Sequence, residues 1–557
     1  MERRDYDYYE SNVADINLRQ ITSCEGNAKI IRRLLGGDDT LRHLTLGGTS
    51  AAGWFKNYFH VGEGDDLGWL GYFIGKSKCF HHLYIQNLPD GEGREQQMCA
   101  FMEGIARSQS IRALSCTNLG DNVSGAIGRA LGVLSQLEEL SYGYNTLGPN
   151  GFAALGTLLK SGVLKLKKLS LFDNDIGYCG VASLANGLKS IGPFLKVLDL
   201  KDNFIGNEAL SALVAALANC TSLEELDLSI NDFSMATAGL GSLSDWLQAA
   251  VWNLNALSLR SCGIDDEGLQ SLANGATNYC KDLDLSGNNS ITVLGLRRLS
   301  TSLQSDSCRL ENLDLGWMDI GDDGAEVLAR GLIGNKVLIR MHLCGACEGT
   351  DDDIAITPAG WSAFSPVLCD TSSVNNTYLS NHTIQELWHC GAFDFIDIDE
   401  DIVKYLRLNK AHPQYAARCK ILMNHAHLDM TPLLQWELKC LPLAVGWFER
   451  ATICTTLSIH NSNPDLSRRI LEESKEVFQS RILTALYEFV RGVPKKVLER
   501  RDELALVAVY DDKIAVVEEE KKRIQEDVES RKRKITQLEE ENKRLRGIVE
   551  TVRNALD

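Results

Sequence analysis

Residues 223–231 read Leu-Glu-Glu-Leu-Asp-Leu-Ser-Ile-Asn, with leucine at the first, fourth and sixth places and asparagine at the ninth. The spacing recurs upstream at Leu137-Leu140-Tyr142-Asn145, Leu166-Leu169-Leu171-Asn174 and Leu195-Leu198-Leu200-Asn203. It continues downstream at Leu254-Leu257-Leu259-Cys262, Cys280-Leu283-Leu285-Asn288, Leu310-Leu313-Leu315-Met318 and Leu338-Met341-Leu343-Ala346. Asn145 and Ala346 are 201 residues apart across seven intervals, just under 29 residues each. Looser matches precede them at Leu41-Leu44-Leu46, Phe80-Leu83-Ile85 and Ile111-Leu114-Cys116, and one degraded match follows at Val374-Thr377-Leu379-His382, which reads as the last strand.

Leucines two apart point to one face of a short strand, and the residues between them point to the other. The ninth-place amide is expected to turn inward and bond backbone groups where the chain leaves the strand. Between the strands, segments such as Gly151-Phe-Ala-Ala-Leu-Gly-Thr-Leu-Leu-Lys160 carry apolar residues three and four apart, the pattern of amphipathic helices. No strand–turn–helix unit can bury its apolar side alone, so the units must stack.

By this LxxLxLxxN core, the period near 29 and the full helix per repeat, residues 38–395 resemble ribonuclease-inhibitor-type leucine-rich repeats. The resemblance implies an α/β solenoid: a horseshoe with parallel strands inside and helices outside. Residues 1–37 are expected to cap its start. Residues 396–497 lose the period and read as a helical C-terminal cap; this tail resembles that of leucine-rich-repeat proteins of single-celled algae.

Residues 498–557 read as a coiled coil. Val528, Ile535, Asn542 and Val549 fall seven apart, and Leu538, Leu545 and Val552 fall three places after such positions. The β-branched residues, the in-register Asn542 and the opposite-sign pairs Asp527–Lys532, Lys534–Glu539 and Glu541–Arg546 favour a parallel homodimer, with a heterodimer and a single solvated helix as the alternatives.

With 44% apolar residues, 10 prolines and a formal net charge of −18, the 557-residue chain is expected to fold into a large core and to repel phosphate backbones and anionic lipid. No run of about 18 apolar residues and no signal-like start is read. The expectation is a cytoplasmic or nuclear protein whose partner is a basic protein, with neither nucleic acid nor membrane bound. The sixteen cysteines are expected to be reduced.

Several stretches invite chemistry and are given a structural reading. Gly71-Tyr-Phe-Ile-Gly-Lys-Ser77 lacks one spacer of a phosphate loop and falls where the period places a helix. Cys344 and Cys347 have no second pair to complete a zinc site, and His425 and His427 stand alone. The basic run Arg531-Lys-Arg-Lys534 lacks the base-reading residues of a basic zipper. No catalytic constellation, cofactor or metal site is assigned, and the chain is read as a non-enzymatic scaffold.

The candidate protein-binding surface is the strand face between the leucines: Asp199, Glu225, Asp227, Asp282, Asp284 and Asp314, beside Phe172, Arg260 and Trp317. Two other readings stay open. One is regulation of a small GTPase, by similarity to Ran GTPase-activating proteins, with Arg260 or Arg340 as the required arginine. The other is an immune-type sensor without a nucleotide-binding module.

Overall fold

The computed structural model describes residues 5–425 apart from 49–56, 63–65, 89, 92, 133, 146, 250–253, 344–355, 389–399, 412 and 414–415. Cys344, Cys347, His427 and the whole heptad seam, including Val528, Ile535, Leu538, Asn542, Leu545, Val549 and Val552, lie outside the described residues.

Thirteen strands form one open sheet: β1 (His43–Gly47), β2 (Tyr58–His60), β3 (His82–Leu88), β4 (Ala113–Leu119), β5 (Glu139–Gly143), β6 (Lys168–Ser170), β7 (Val197–Asp199), β8 (Glu225–Asp227), β9 (Leu254–Ser258), β10 (Cys280–Asp284), β11 (Asn312–Asp314), β12 (Arg340–His342) and β13 (Glu386–Trp388). From β3 onward each strand pairs in parallel with the next in sequence, while β1 lies between β3 and β2. The connecting helices pack consecutively against one another. Paired strands sit about 4.8 Å apart and packed helices about 8–10 Å apart, so the two layers match only if the sheet curves with its strands innermost. This is the leucine-rich-repeat solenoid expected from the spacing.

The leucines behave as their register requires. Leu166, Leu169, Leu171, Leu195, Leu198 and Leu200 are buried to 1% exposure or less, between sheet and helices. The ninth-place asparagines link adjacent repeats. Asn203 Nδ2 donates to the Leu171 and Lys201 carbonyls at 2.8 and 2.9 Å, and its Oδ1 accepts from the Asn174 and Ile176 amides. Asn231 repeats this towards Leu200, Leu228, Ser229, Asn203 and Ile205, and Asn288 towards Leu259, Leu285, Cys262 and Ile264. Cys262 takes the same place with its thiol directed at the Leu228 carbonyl, 3.3 Å away, and burial pushes that thiol up to about 12.

The residue just before each ninth place turns the chain left-handed. Tyr144, Asp173, Asp202, Ile230, Ser261 and Trp317 all have φ between 52° and 59°, and Gly287 fills the same place at 72°. A bulky or β-branched residue there is strained by about 1 kcal/mol or more, which the amide bonding beside it offsets.

At the start of the solenoid the sheet has one strand more than the repeat count. Asn27, in the helix Glu25–Leu35, donates to the His60 carbonyl at 2.7 Å and accepts from the His60 amide at 2.9 Å, occupying the open edge of β2 as a strand would. β2 hides in the long interval between Leu41 and Phe80 and follows no leucine spacing. The stretch Gly71–Ser77 lies in the helix Leu67–Lys76 and its cap. A Cβ on Gly71 would stand 2.3 Å from the Phe101 carbonyl and one on Gly75 2.3 Å from that of Gly104, so the two glycines permit close helix contact.

The expected last strand is corrected. Val374–Leu379 is a helix, capped by Ser373 Oγ accepting from the Asn376 amide, and the strand is β13, twelve residues on. Thr377 does not serve as a strand residue facing the core; it is buried by bonding the Asp370 carbonyl. Strand position follows Asn381, which donates to the Leu332 and Asn335 carbonyls and accepts from the Ile384 amide, so that Ile384 and Leu387 carry the apolar register. Beyond it the helices Glu400–Ala411 and Ala416–Asn424 lie where helices were read. The buried Lys420 Nζ donates to the Leu368 and Asn381 carbonyls at 2.6 and 2.9 Å, and burial lowers its pKa to about 7.

Because Asn203 holds two buried amides and two carbonyls, Asn203→Ala should destabilise by about 2–4 kcal/mol. Asn174, whose Oδ1 has no partner, should cost about half as much when changed to alanine. Urea unfolding followed by circular dichroism measures both; equal losses would contradict the amide account.

Candidate inner-face binding surface

Along each strand two places, the third and fifth of the repeat, flank the buried fourth-place leucine and face inward. Cross-strand pairing aligns the fifth places into one row, Ser170, Asp199, Asp227, Ser258, Asp284, Asp314 and His342. The third places align as Lys168, Val197, Glu225, Ala256, Asp282, Asn312, Arg340 and Glu386. Every acidic candidate read from the sequence thus lies on one of two adjacent rows.

Each fifth-place aspartate uses one oxygen locally. Oδ1 of Asp199, Asp227, Asp284 and Asp314 accepts from the amide two residues on, at 2.8–3.1 Å, which pins the turn. The neighbouring polar residues reach the second oxygens. Ser170 Oγ donates to Asp199 at 2.6 Å, Ser258 Oγ to Asp284 at 3.4 Å, and His342 Nδ1 lies 3.0 Å from Asp314. Asn312 bonds Asp282 directly.

The rows carry Lys168 and Arg340 at third places, the latter paired with Glu386 at 3.0 Å. At the second place, outside these rows, Lys167 pairs with Glu138 and Lys196 with Glu224, both at 2.6 Å, and Lys281 with Glu311 at 3.9 Å. Among the described residues, Asp199, Asp227 and Asp284 have no lysine or arginine partner within ion-pair distance. Burial raises the Asp227 carboxyl, with the Asp199 charge adding to it against the Ser229 hydrogen bonds. Asp314 is also raised by burial, but the His342 and Gly316 bonds and the Arg260 charge together hold it below the usual range.

The other candidates lie at the strand exits. Phe172 and Arg260 occupy seventh places and Trp317 an eighth, so they border the acidic rows at their carboxyl-terminal rim. Phe172 meets Tyr144 edge to face at 5.0 Å between centroids. The sequence reading passed over Tyr144, Phe204 and Ile230, exposed at 60%, 69% and 40% on the same rim. The missed signal is the apolar side chain at or just beyond the left-handed turn. Of the two arginines considered for GTPase regulation, Arg340 is engaged by Glu386 at 3.0 Å and Asn312 at 3.1 Å, whereas Arg260 is exposed. Among the described residues no group of three potential metal ligands converges, and no helix is long and apolar enough to cross a membrane.

The family model for the Leucine Rich repeat matches residues 164–185, 193–214, 253–273 and 307–329. The chain is 34% identical over 137 residues to NACHT, LRR and PYD domains-containing protein 12 of Mus musculus, covering 24% of this chain and 13% of that protein. It is 27% identical over 200 residues to the ribonuclease inhibitor of Mus musculus, covering 30% of this chain and 42% of the inhibitor. The chain therefore spans less than half the length of the curated relatives it matches. Among solved structures, the crystal structure of the Rad7 and Elc1 complex in yeast aligns with a TM-score of 0.33 and 16% identity over 64% of this chain and 90% of that one, a likeness too slight to add to the fold. Repeat geometry and matches together make this a ribonuclease-inhibitor-like leucine-rich-repeat protein.

Since the folded-state pKa of Asp227 exceeds its unfolded value, its charge opposes folding: the stability is intact below the unfolded carboxylate pKa and is lost as pH rises through the folded one. Asp227→Asn keeps the Oδ1 acceptor and removes the charge. It should be more stable than the parent at pH 7, and the difference should vanish below roughly pH 4 in paired denaturation curves. A less stable variant at pH 7 would contradict this.

Proposed function

We propose that this ribonuclease-inhibitor-like leucine-rich-repeat chain is a non-enzymatic cytoplasmic scaffold that docks a basic protein segment along the inner face of its sheet. The observation carrying the reading is the row Asp199, Asp227, Asp284 and Asp314, held on a rigid sheet while Lys167 and Lys196 are paired with glutamates outside it. Burial, with the Asp199 charge beside it, raises the Asp227 carboxyl, so a cation docked on the row would favour its ionised form. Aligned carboxylates give a partner orientation and a faster encounter more than raw affinity, and the aromatic rim supplies apolar contact area.

The heptads of residues 498–557 pair two copies in parallel, so that two inner faces act together and avidity rises wherever the partner is itself multivalent.

A variant carrying Asp199→Asn, Asp227→Asn, Asp284→Asn and Asp314→Asn retains each turn-pinning acceptor while removing four charges. Compared with the parent in co-purification, it should lose the basic partners, with affinity reduced about tenfold or more. Identical retained sets would contradict the reading, as would stimulation of GTP hydrolysis when the parent chain is added to a purified small GTPase. Leu538→Asp with Leu545→Asp should convert a dimer to a monomer in light scattering, and an unchanged mass would contradict dimerisation through the heptads.

A further inference from the structure

The helix Ala416–Asn424 is held on the last repeat by a buried amine. Lys420, without exposed surface, donates from Nζ to the Leu368 and Asn381 carbonyls and lies 3.2 Å from His382 Nδ1. His382 Nε2 stands 3.1 Å from the Tyr378 carbonyl, which can only accept, so Nε2 carries the ring proton and Nδ1 is a bare acceptor. An ammonium has three N–H groups for these three acceptors, whereas a neutral amine has two. The hydrogen bonds therefore favour the charged form and burial favours the neutral one.

The neighbouring elements bring few charges that could answer the amine. The end of the helix Phe364–Leu368 brings the Cys369 thiol and Asp370, the residues after Val374–Leu379 bring His382, and the helix Glu400–Ala411 brings Asp401, Lys404 and Tyr405; Arg418, Cys419 and His425 lie on the lysine's own helix or just beyond it. Asp401 is paired with Lys404 at 3.2 Å, the Asp370 carboxylate accepts from the Ser372 amide at 2.9 Å, and His425 bonds Thr377 at 2.7 Å. Tyr405 donates to Asn424 Oδ1 at 3.1 Å, and its ring centroid is 5.7 Å from the amine. Among the described residues no carboxylate lies within ion-pair distance of Lys420 Nζ. Burial accordingly lowers Lys420 to about 7 and, with the Lys420 charge adding to it, His382 to about 4, and it raises the Cys369 thiol.

We propose that the helix Ala416–Asn424 is a proton-operated latch on the last repeat: proton uptake by Lys420 releases it, and proton loss closes it. A terminal helix can open alone, because in a solenoid each unit packs only on its neighbours. Once detached, Lys420 titrates near about 10.4, as an exposed lysine does. Between pH 7 and that value the open helix holds one proton more than the closed one, so closure strengthens as pH rises and the gain is gone once pH falls to 7. Above about pH 8.5 the Cys369 thiol acts in the opposite direction, since burial keeps it protonated while an exposed thiol ionises. The latch therefore responds most steeply between pH 7 and about 8.5, and His382 adds a further loss of closure as pH falls from about 6.5 to 4.

Hydrogen exchange of the full chain, read by mass spectrometry as protection factors at about pH 7 and about pH 8.5, tests the latch. Residues 416–424 should gain about tenfold in protection between the two, while the helix Asn207–Leu217, remote in the repeats, should not change. Lys420→Met, which has no proton to exchange, should remove the gain, and Lys420→Arg, charged whether the helix is closed or open, should remove it as well. Either substitution can itself loosen the helix, so the latch stands or falls first on the parent. Equal protection of residues 416–424 at the two pH values in the parent, a gain shared by Asn207–Leu217, or a gain that survives in either variant would each overturn it.

Discussion

The buried amide at the strand exit is the interaction on which the structure depends. A strand of three to seven residues followed by a sharp left-handed turn leaves backbone groups that neither sheet nor helix can satisfy. An asparagine side chain carries both a donor and an acceptor group and is short enough to stay at the turn. Asn203 and Asn231 show the outcome: each bonds its own turn and the one before it, so that one side chain both closes a repeat and joins it to its neighbour. Cys262 preserves the donor half of that role with a weaker group.

From this constraint the binding surface follows. With fourth- and sixth-place leucines committed to the core and the ninth place to the turn, the third and fifth places of successive strands are left in registered rows roughly 4.8 Å apart. Charge at those places repeats at the strand spacing, which is why a few aspartates make a continuous acidic line. Their turn-pinning bonds hold them rigidly, and a rigid row loses little side-chain freedom when a partner binds.

The repeats were legible because two periods coincide in them, alternation along the strand and a near-29-residue return between strands. The inward asparagine was legible for the same reason. The strand register that places Asp199, Asp227 and Asp284 side by side also follows from the leucine spacing. What escaped was local. β2 has no leucine pattern because it is an edge strand bonded on one side by a side chain, Asn27. β13 was misplaced because Val374, Thr377 and Leu379 imitate the spacing, whereas Ser373 caps a helix there and Asn381 sets the strand from ahead of it. The rim aromatics Tyr144 and Phe204 were passed over because they sit in turns, where apolar periodicity carries no information.

The most direct measurement of inner-face docking is photo-crosslinking in cells from two single positions of the full chain. One carries benzoylphenylalanine in place of Ala256, between Glu225 and Asp282 on the inner face, and the other in place of Gln270, exposed on the helix Asp266–Tyr279. The account predicts a crosslink to a basic protein from position 256 and none to that protein from position 270. A crosslink from position 270 alone would contradict it and would move the binding surface to the helical side.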